Sequence, residues 1–190
     1  MPQQLIESVK DTIVTTIRGA GEIVNAVTDT VAAALVNALK GTSNVGTAAA
    51  SSVADIASGV IQGTAQVGGD LRGAAKGAMV GVLRGTKDLT GETLNTVSTG
   101  ARTLVKATGD VGGDLVVAAK NVVAGAIQGA RDLGLDVAKA ASAAANGAIK
   151  GAGDVSLTAV DQVTQAVSGV IDGVKVVVTE PFRPPAAARG

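Results

Sequence analysis

The residues of this sequence with any capacity for chemistry are carboxylates, and they are strung out at a fixed interval. Asp70, Glu92, Asp114 and Asp136 recur every 22 residues, and so do Asp88, Asp110, Asp132 and Asp154. On a helix, successive members of either series stand about 33 Å apart, too far to share a proton, a metal or a substrate. Asp110 with Asp114 and Asp132 with Asp136 are near neighbours. A cation site would have to be sought there, but a solvated helix face is the plainer expectation. The chain has no His, Cys, Tyr or Trp, which removes Ser-His-Asp and Cys-His catalysis and imidazole or thiolate metal ligation. Gly68-Gly69-Asp70 and Gly151-Ala152-Gly153 resemble phosphate loops in composition. Neither completes GxGxxG or a Walker sequence, and neither follows a strand. The expectation is a chain that is not an enzyme and carries no cofactor and no metal.

The elements that position these carboxylates are set by a repeat. The phrase Ile17-Arg18-Gly19-Ala20 returns as Leu39-Lys40-Gly41-Thr42, Ile61-Gln62-Gly63-Thr64 and Leu83-Arg84-Gly85-Thr86, and later as Ile127-Gln128-Gly129-Ala130 and Ile149-Lys150-Gly151-Ala152. Halving the 22 gives units of 11, positions a to k, whose register runs from Met1 to Val176. Apolar residues recur at spacings of four, four and three, a helical period and not the alternation of a strand. Eleven residues in three turns is close to the period of a straight helix, so the apolar stripe barely drifts. Positions a, e, i, b and f lie side by side over an arc of roughly 130°. Ile17, Leu39, Val60, Ile61, Leu71, Val82, Leu83, Leu104, Leu115, Val116, Ile127, Ile149 and Ile171 fall on it and are expected to face lipid or a core.

The register passes without a slip through Thr42-Ser43-Asn44-Val45-Gly46 and through the Thr90-Gly91 to Thr99-Gly100 stretch, where turn residues cluster. No proline lies between Pro2 and Pro181. The fold expected is all-α: one long amphipathic helix of sixteen 11-residue repeats over residues 1–176, with a bend or hairpin as the alternative, assembling beside other copies. Residues 177–190, rich in Pro and Ala, read as a C-terminal tail.

Composition limits what such a helix can do. One aromatic, Phe182, stands outside the repeat, and 26 glycines are spread over 190 residues. Each glycine costs an isolated helix roughly 1 kcal/mol relative to alanine, so a lipid surface or other helices must offset the total. With 16 basic and 16 acidic residues, there is no positive excess for nucleic acid to exploit. The N-terminus lacks the basic start and apolar run of a signal peptide, and no segment reads as a simple membrane-spanning helix. The compartment is therefore not legible.

Two further patterns concern neighbours. GxxxG pairs recur at Gly59/Gly63, Gly81/Gly85, Gly125/Gly129, Gly147/Gly151 and Gly169/Gly173, and such rows let helix backbones approach closely. The polar arc has edges of opposite sign. Lys76, Lys87, Lys120 and Arg131 lie on one, and Asp70, Asp88, Asp110, Asp114, Asp132 and Asp136 lie toward the other. Copies set side by side and parallel would match basic edge to acidic edge.

The repeat resembles the 11- and 22-residue amphipathic arrays of lipid-coat proteins: synucleins, perilipins and exchangeable apolipoproteins. The resemblance is carried by the periodicity and by stretches such as Val111-Gly112-Gly113-Asp114-Leu115-Val116-Val117-Ala118-Ala119-Lys120. It implies a structural protein that coats or scaffolds a lipid or other hydrophobic surface and self-associates into a parallel multi-subunit assembly. The alternative is a lipid-free helical filament or tube. A more remote one is an ice-binding helix bundle, from the line Thr42, Thr64, Thr86 and Thr108.

Overall fold

Among the described residues most form helix. The computed structural model describes residues 2–19, 23–40, 45–87 and 93–179. These form eight helices: α1 Pro2–Gly19, α2 Ile23–Leu39, α3 Val45–Gln66, α4 Leu71–Thr86, α5 Thr93–Asp110, α6 Leu115–Leu133, α7 Val137–Gly153 and α8 Leu157–Val167. Two short strands follow, β1 Gly169–Ile171 and β2 Val174–Val176. The chain is all-α in class, but it is a bundle of eight helices and not one long helix.

The turns show why. Gly112 and Gly134 adopt the left-handed backbone at the ends of α5 and α6, with φ of 77° and 68°. Around each, the helix closes in a Schellman motif, for instance Gly112 N–H to Gly109 O at 2.9 Å and Gly113 N–H to Thr108 O at 2.7 Å. An extended aspartate then caps the next helix. Asp70 accepts from Arg72 N–H, Asp114 from Val117 N–H and Asp136 from Lys139 N–H. The unbroken register is compatible with turns for a physical reason: a Gly-Asp turn that falls in phase with the repeat, as at Gly112–Asp114 and Gly134–Asp136, preserves the period counted along the chain while reversing its direction in space. The breaks read at residues 42–44 and 90–91 lie outside the described residues. Val45, Gly46 and the stretch from Thr93 through Thr99 and Gly100 are helical.

Consecutive helices reverse direction, so every second helix runs parallel. The packing follows that rule: α1, α3, α5 and α7 lie next to one another in one layer, and α2, α4, α6 and α8 in a second. A single core runs between the layers, from Val9 on α1 to Val176 on β2. Its largest fully buried side chains include Ile13, Leu35, Ile56, Ile61, Met79, Leu83, Leu104 and Ile127. The rest is mainly Ala and Val. That small-residue content brings helix axes close and makes backbone proximity, not side-chain bulk, the source of contact.

Helical register ends at Val167. The strands pair antiparallel, Gly169 with Val176, Val170 with Lys175 and Ile171 with Val174. Asp172 and Gly173 form the two-residue turn, both at positive φ (48° and 78°), as a type I′ turn requires. Expected helical residues 169–176 are thus a hairpin. β-branched pairs on either side of Asp-Gly outweigh the repeat there.

Candidate functional surface

The strongest constellation in the molecule is a set of glycine seams between parallel helices. A Cβ placed on Gly59 or Gly63 of α3 would meet Ile6 O at 2.8 Å or Lys10 O at 2.9 Å on α1. On α4, Gly81 would meet Thr28 O at 2.7 Å and Gly85 would meet Leu35 Cβ at 2.9 Å, both on α2. Gly125 of α6 sits 2.6 Å by the same measure from Lys76 O of α4, and Gly129 faces Leu83. Gly147 and Gly151 of α7 close onto Ser98 O and Arg102 O of α5. Residue numbers rise together on both sides of every seam, which is what makes the pairs parallel. Thr28, 2% exposed, adds a polar contact to the α2–α4 seam: its hydroxyl lies 2.8 Å from Val24 O and 3.0 Å from Gly77 O. Gly169 and Gly173 are in no seam. They sit in the hairpin at positive φ, with nothing within 4 Å of an added Cβ.

Most of the apolar arc is buried inside the bundle, while Leu94, Val111 and Val155 on the same arc stay exposed. Val60, Ile61, Val82, Leu83, Leu104, Ile127 and Ile149 are buried, and Ile17, Leu71 and Leu115 are partly buried against the same core, as is Val116. Leu39 is half-buried near the end of α2. Ile171 packs against the core from β1 instead of from a helix. Thr64, Thr86 and Thr108 are buried, so they form no exposed line; Thr42 lies outside the described residues.

The charged edges resolve into several different roles. Asp70, Asp114 and Asp136 are helix caps, a role the 22-residue spacing alone did not show. The signal was present as glycine followed within two residues by aspartate and then an aliphatic residue. Accepting the Lys139 backbone N–H holds the Asp136 carboxyl below the ordinary carboxylate value. Asp110 pairs within its own helix with Lys106 at 2.7 Å. Asp132 stands 3.9 Å from Arg84, which also reaches Asp29 at 3.7 Å, so one guanidinium spans α2, α4 and α6. Arg102 of α5 binds Asp154 at the end of α7 through two bonds, 2.7 and 2.9 Å. Those bonds depress the Asp154 carboxyl and raise the Arg102 guanidinium. Burial on α3 pushes Asp55 upward. Neither Arg84 nor Arg102 belongs to the basic edge read from the sequence, because their partners become neighbours only once the turns fold. Lys87 and Lys120 are exposed and Lys76 is half-buried. Arg131 donates to the backbone of Asp172 at 2.7 Å, fastening the hairpin. Asp88 lies outside the described residues.

The surface offers shallow grooves. One, between α1 and α2 at the start of the stack, is lined by Leu5, Val9, Ala33 and Ala34 with Asp29 and Asn37. Another runs along the capped turns past Gly68, Asp70, Thr108 and Asp114. Among the described residues no three potential metal-ligating side chains cluster. No helix among them is long and apolar enough to cross a membrane. The chain matches no protein-family model and no curated protein sequence. Its functional reading therefore rests on the seams, the caps and the stack they build.

Proposed function

We propose that this chain is a non-enzymatic structural protein, a self-contained stack of helices whose stiffness is its working property. The observation that carries this reading is the use of the apolar arc: residues at the same repeat position, among them Ile61, Leu83 and Ile127, are buried in the core of one chain. Parallel side-by-side packing, which the charge edges suggested between copies, occurs here between alternate helices of one molecule. Repeated modules that contact only their neighbours give an extended scaffold whose length is set by repeat number.

A second reading keeps the lipid coat. Opening the turns would return the aliphatic arc of each helix to a surface, where it can lie on lipid while the charged arc faces water. Flotation with neutral and with anionic vesicles, read with circular dichroism and sedimentation, separates the two. The scaffold reading expects a protein that remains helical without lipid and stays in the dense fractions with both vesicle types. Flotation accompanied by loss of a crosslink across the α5–α7 seam would replace it with the coat reading.

A further inference from the structure

The seat for a following helix is visible on α5. Gly147 and Gly151 of α7 close there onto Ser98, Ala101 and Arg102. Two repeats further along, the same positions on α7 are Ser142, Ala145 and Asn146. An extended segment of the chain occupies that place. Ser142 Oγ accepts the Val177 N–H at 3.0 Å, and Asn146 Oδ1 accepts the Thr179 N–H at 3.2 Å. β2 packs on α7, with Val176 buried, while Val170 of β1 remains 72% exposed. Arg131 holds the hairpin turn from the end of α6. The diversion begins where the repeat would have placed another seam: Gly169 and Gly173 stand two repeats after Gly125 and Gly129.

We infer that Gly169–Thr179 is a terminator of the stack, filling in extended form the seat that a further helix takes elsewhere and so keeping α7 of one copy from packing on α7 of a second. The chemistry fits a strand. A strand edge presents free backbone N–H groups that side-chain oxygens must satisfy, whereas the flank of a helix presents none. With the segment released, α7 uncovers the small-residue flank of Ser142, Ala145 and Asn146, a different flank from the one Gly147 and Gly151 set against α5, and both copies uncover the same flank, so the product is a two-fold dimer. Head-to-tail stacking of α1 on α7 is disfavoured, because Asp11 and Thr15 stand on α1 where α7 has Ala143 and Gly147. This inference does not depend on whether lipid is a target.

The test compares the full chain with a chain ending at Ser168, by sedimentation across a concentration series and by circular dichroism. The full chain should sediment as one copy. The shortened chain should keep its helical signal and dimerise, and a Ser142→Cys substitution should yield an intermolecular disulfide in the shortened chain alone. A shortened chain that is helical and remains a single copy overturns the inference, as does a full chain that associates equally. If shortening unfolds the protein, the full chain carrying Ser142→Ala and Asn146→Ala decides. Exchange at the Val177 and Thr179 amides should accelerate at least about tenfold and dimerisation should appear. Acceleration without dimerisation, or no acceleration, sinks the idea.

Discussion

Asp154 shows what a single residue does in a stack of otherwise interchangeable repeats. Its carboxylate closes the α5–α7 seam by taking both bonds from Arg102, and those bonds lower its affinity for protons. A depressed carboxyl adds stability that is present above its unfolded value of about 3.9 and is lost as pH falls through the lower folded value. Both groups are partly exposed, 52% and 26% at the side chains, so solvent screens the pair and the effect is modest. Comparing unfolding of the wild type with Arg102→Gln should therefore show a gap at neutral pH that closes as acidity carries Asp154 to its protonated form. A gap that is unchanged through that titration would assign the Arg102 contribution to packing and not to charge.

At the scale of elements, the seams decide which helices are neighbours. Gly147 is the sharpest case: the carbonyl of Ser98 and the Cβ of Ala101 leave no room for a methyl group. Alanine is the better helix former in isolation, so local propensity and seam geometry oppose each other there. Overpacking costs typically 1–3 kcal/mol, more than the roughly 1 kcal/mol that propensity returns. Gly147→Ala is expected to destabilise the protein and to raise amide exchange in α5 and α7 together. Gln128→Ala, on the exposed flank of α6, should stay within about 0.5 kcal/mol of the wild type. Equal denaturation midpoints for the two variants would mean that the helices slide apart freely and that the seam is not a constraint.

The whole molecule depends on one continuous core shared by all eight helices and the hairpin. Because that core is built from Ala and Val with a few larger side chains, each larger one matters. Ile61 is fully buried on α3, and an unpaired carboxylate in its place costs several kcal/mol. Ile61→Asp should abolish cooperative unfolding or shift it far downward. Arg84→Gln removes only exposed pairs at 3.7 and 3.9 Å, each worth about 0–1 kcal/mol, and should leave the transition nearly unmoved. Thermal melts of the two variants check the contrast, and similar shifts in both would show that the charge ladder across α2, α4 and α6 carries the stack.

Much of this was written in the chain's local pattern. The four-four-three spacing specified helices, because it places one side of each turn toward an apolar environment wherever the helix lies. The phase of Gly59/Gly63, Gly125/Gly129 and their counterparts marked a flank free of side chains. The Gly112-Gly113-Asp114 turn carried both a helix stop and a helix cap, and Asp172-Gly173 between Val170-Ile171 and Val174-Lys175 carried a hairpin; each is a local backbone preference. What the pattern left open was the partner of every flank. A glycine row serves equally against another copy, a lipid tail or a later part of the same chain, since the row specifies only closeness. Tertiary structure chose the third, by reversing successive helices so that alternate helices became parallel and adjacent. The same choice brought Arg84 to Asp132 and Arg102 to Asp154, pairs with no common interval in the sequence. It also placed Ser142 and Asn146 beneath Val177 and Thr179, because a seat on the last helix of a layer exists only once the layer has been built.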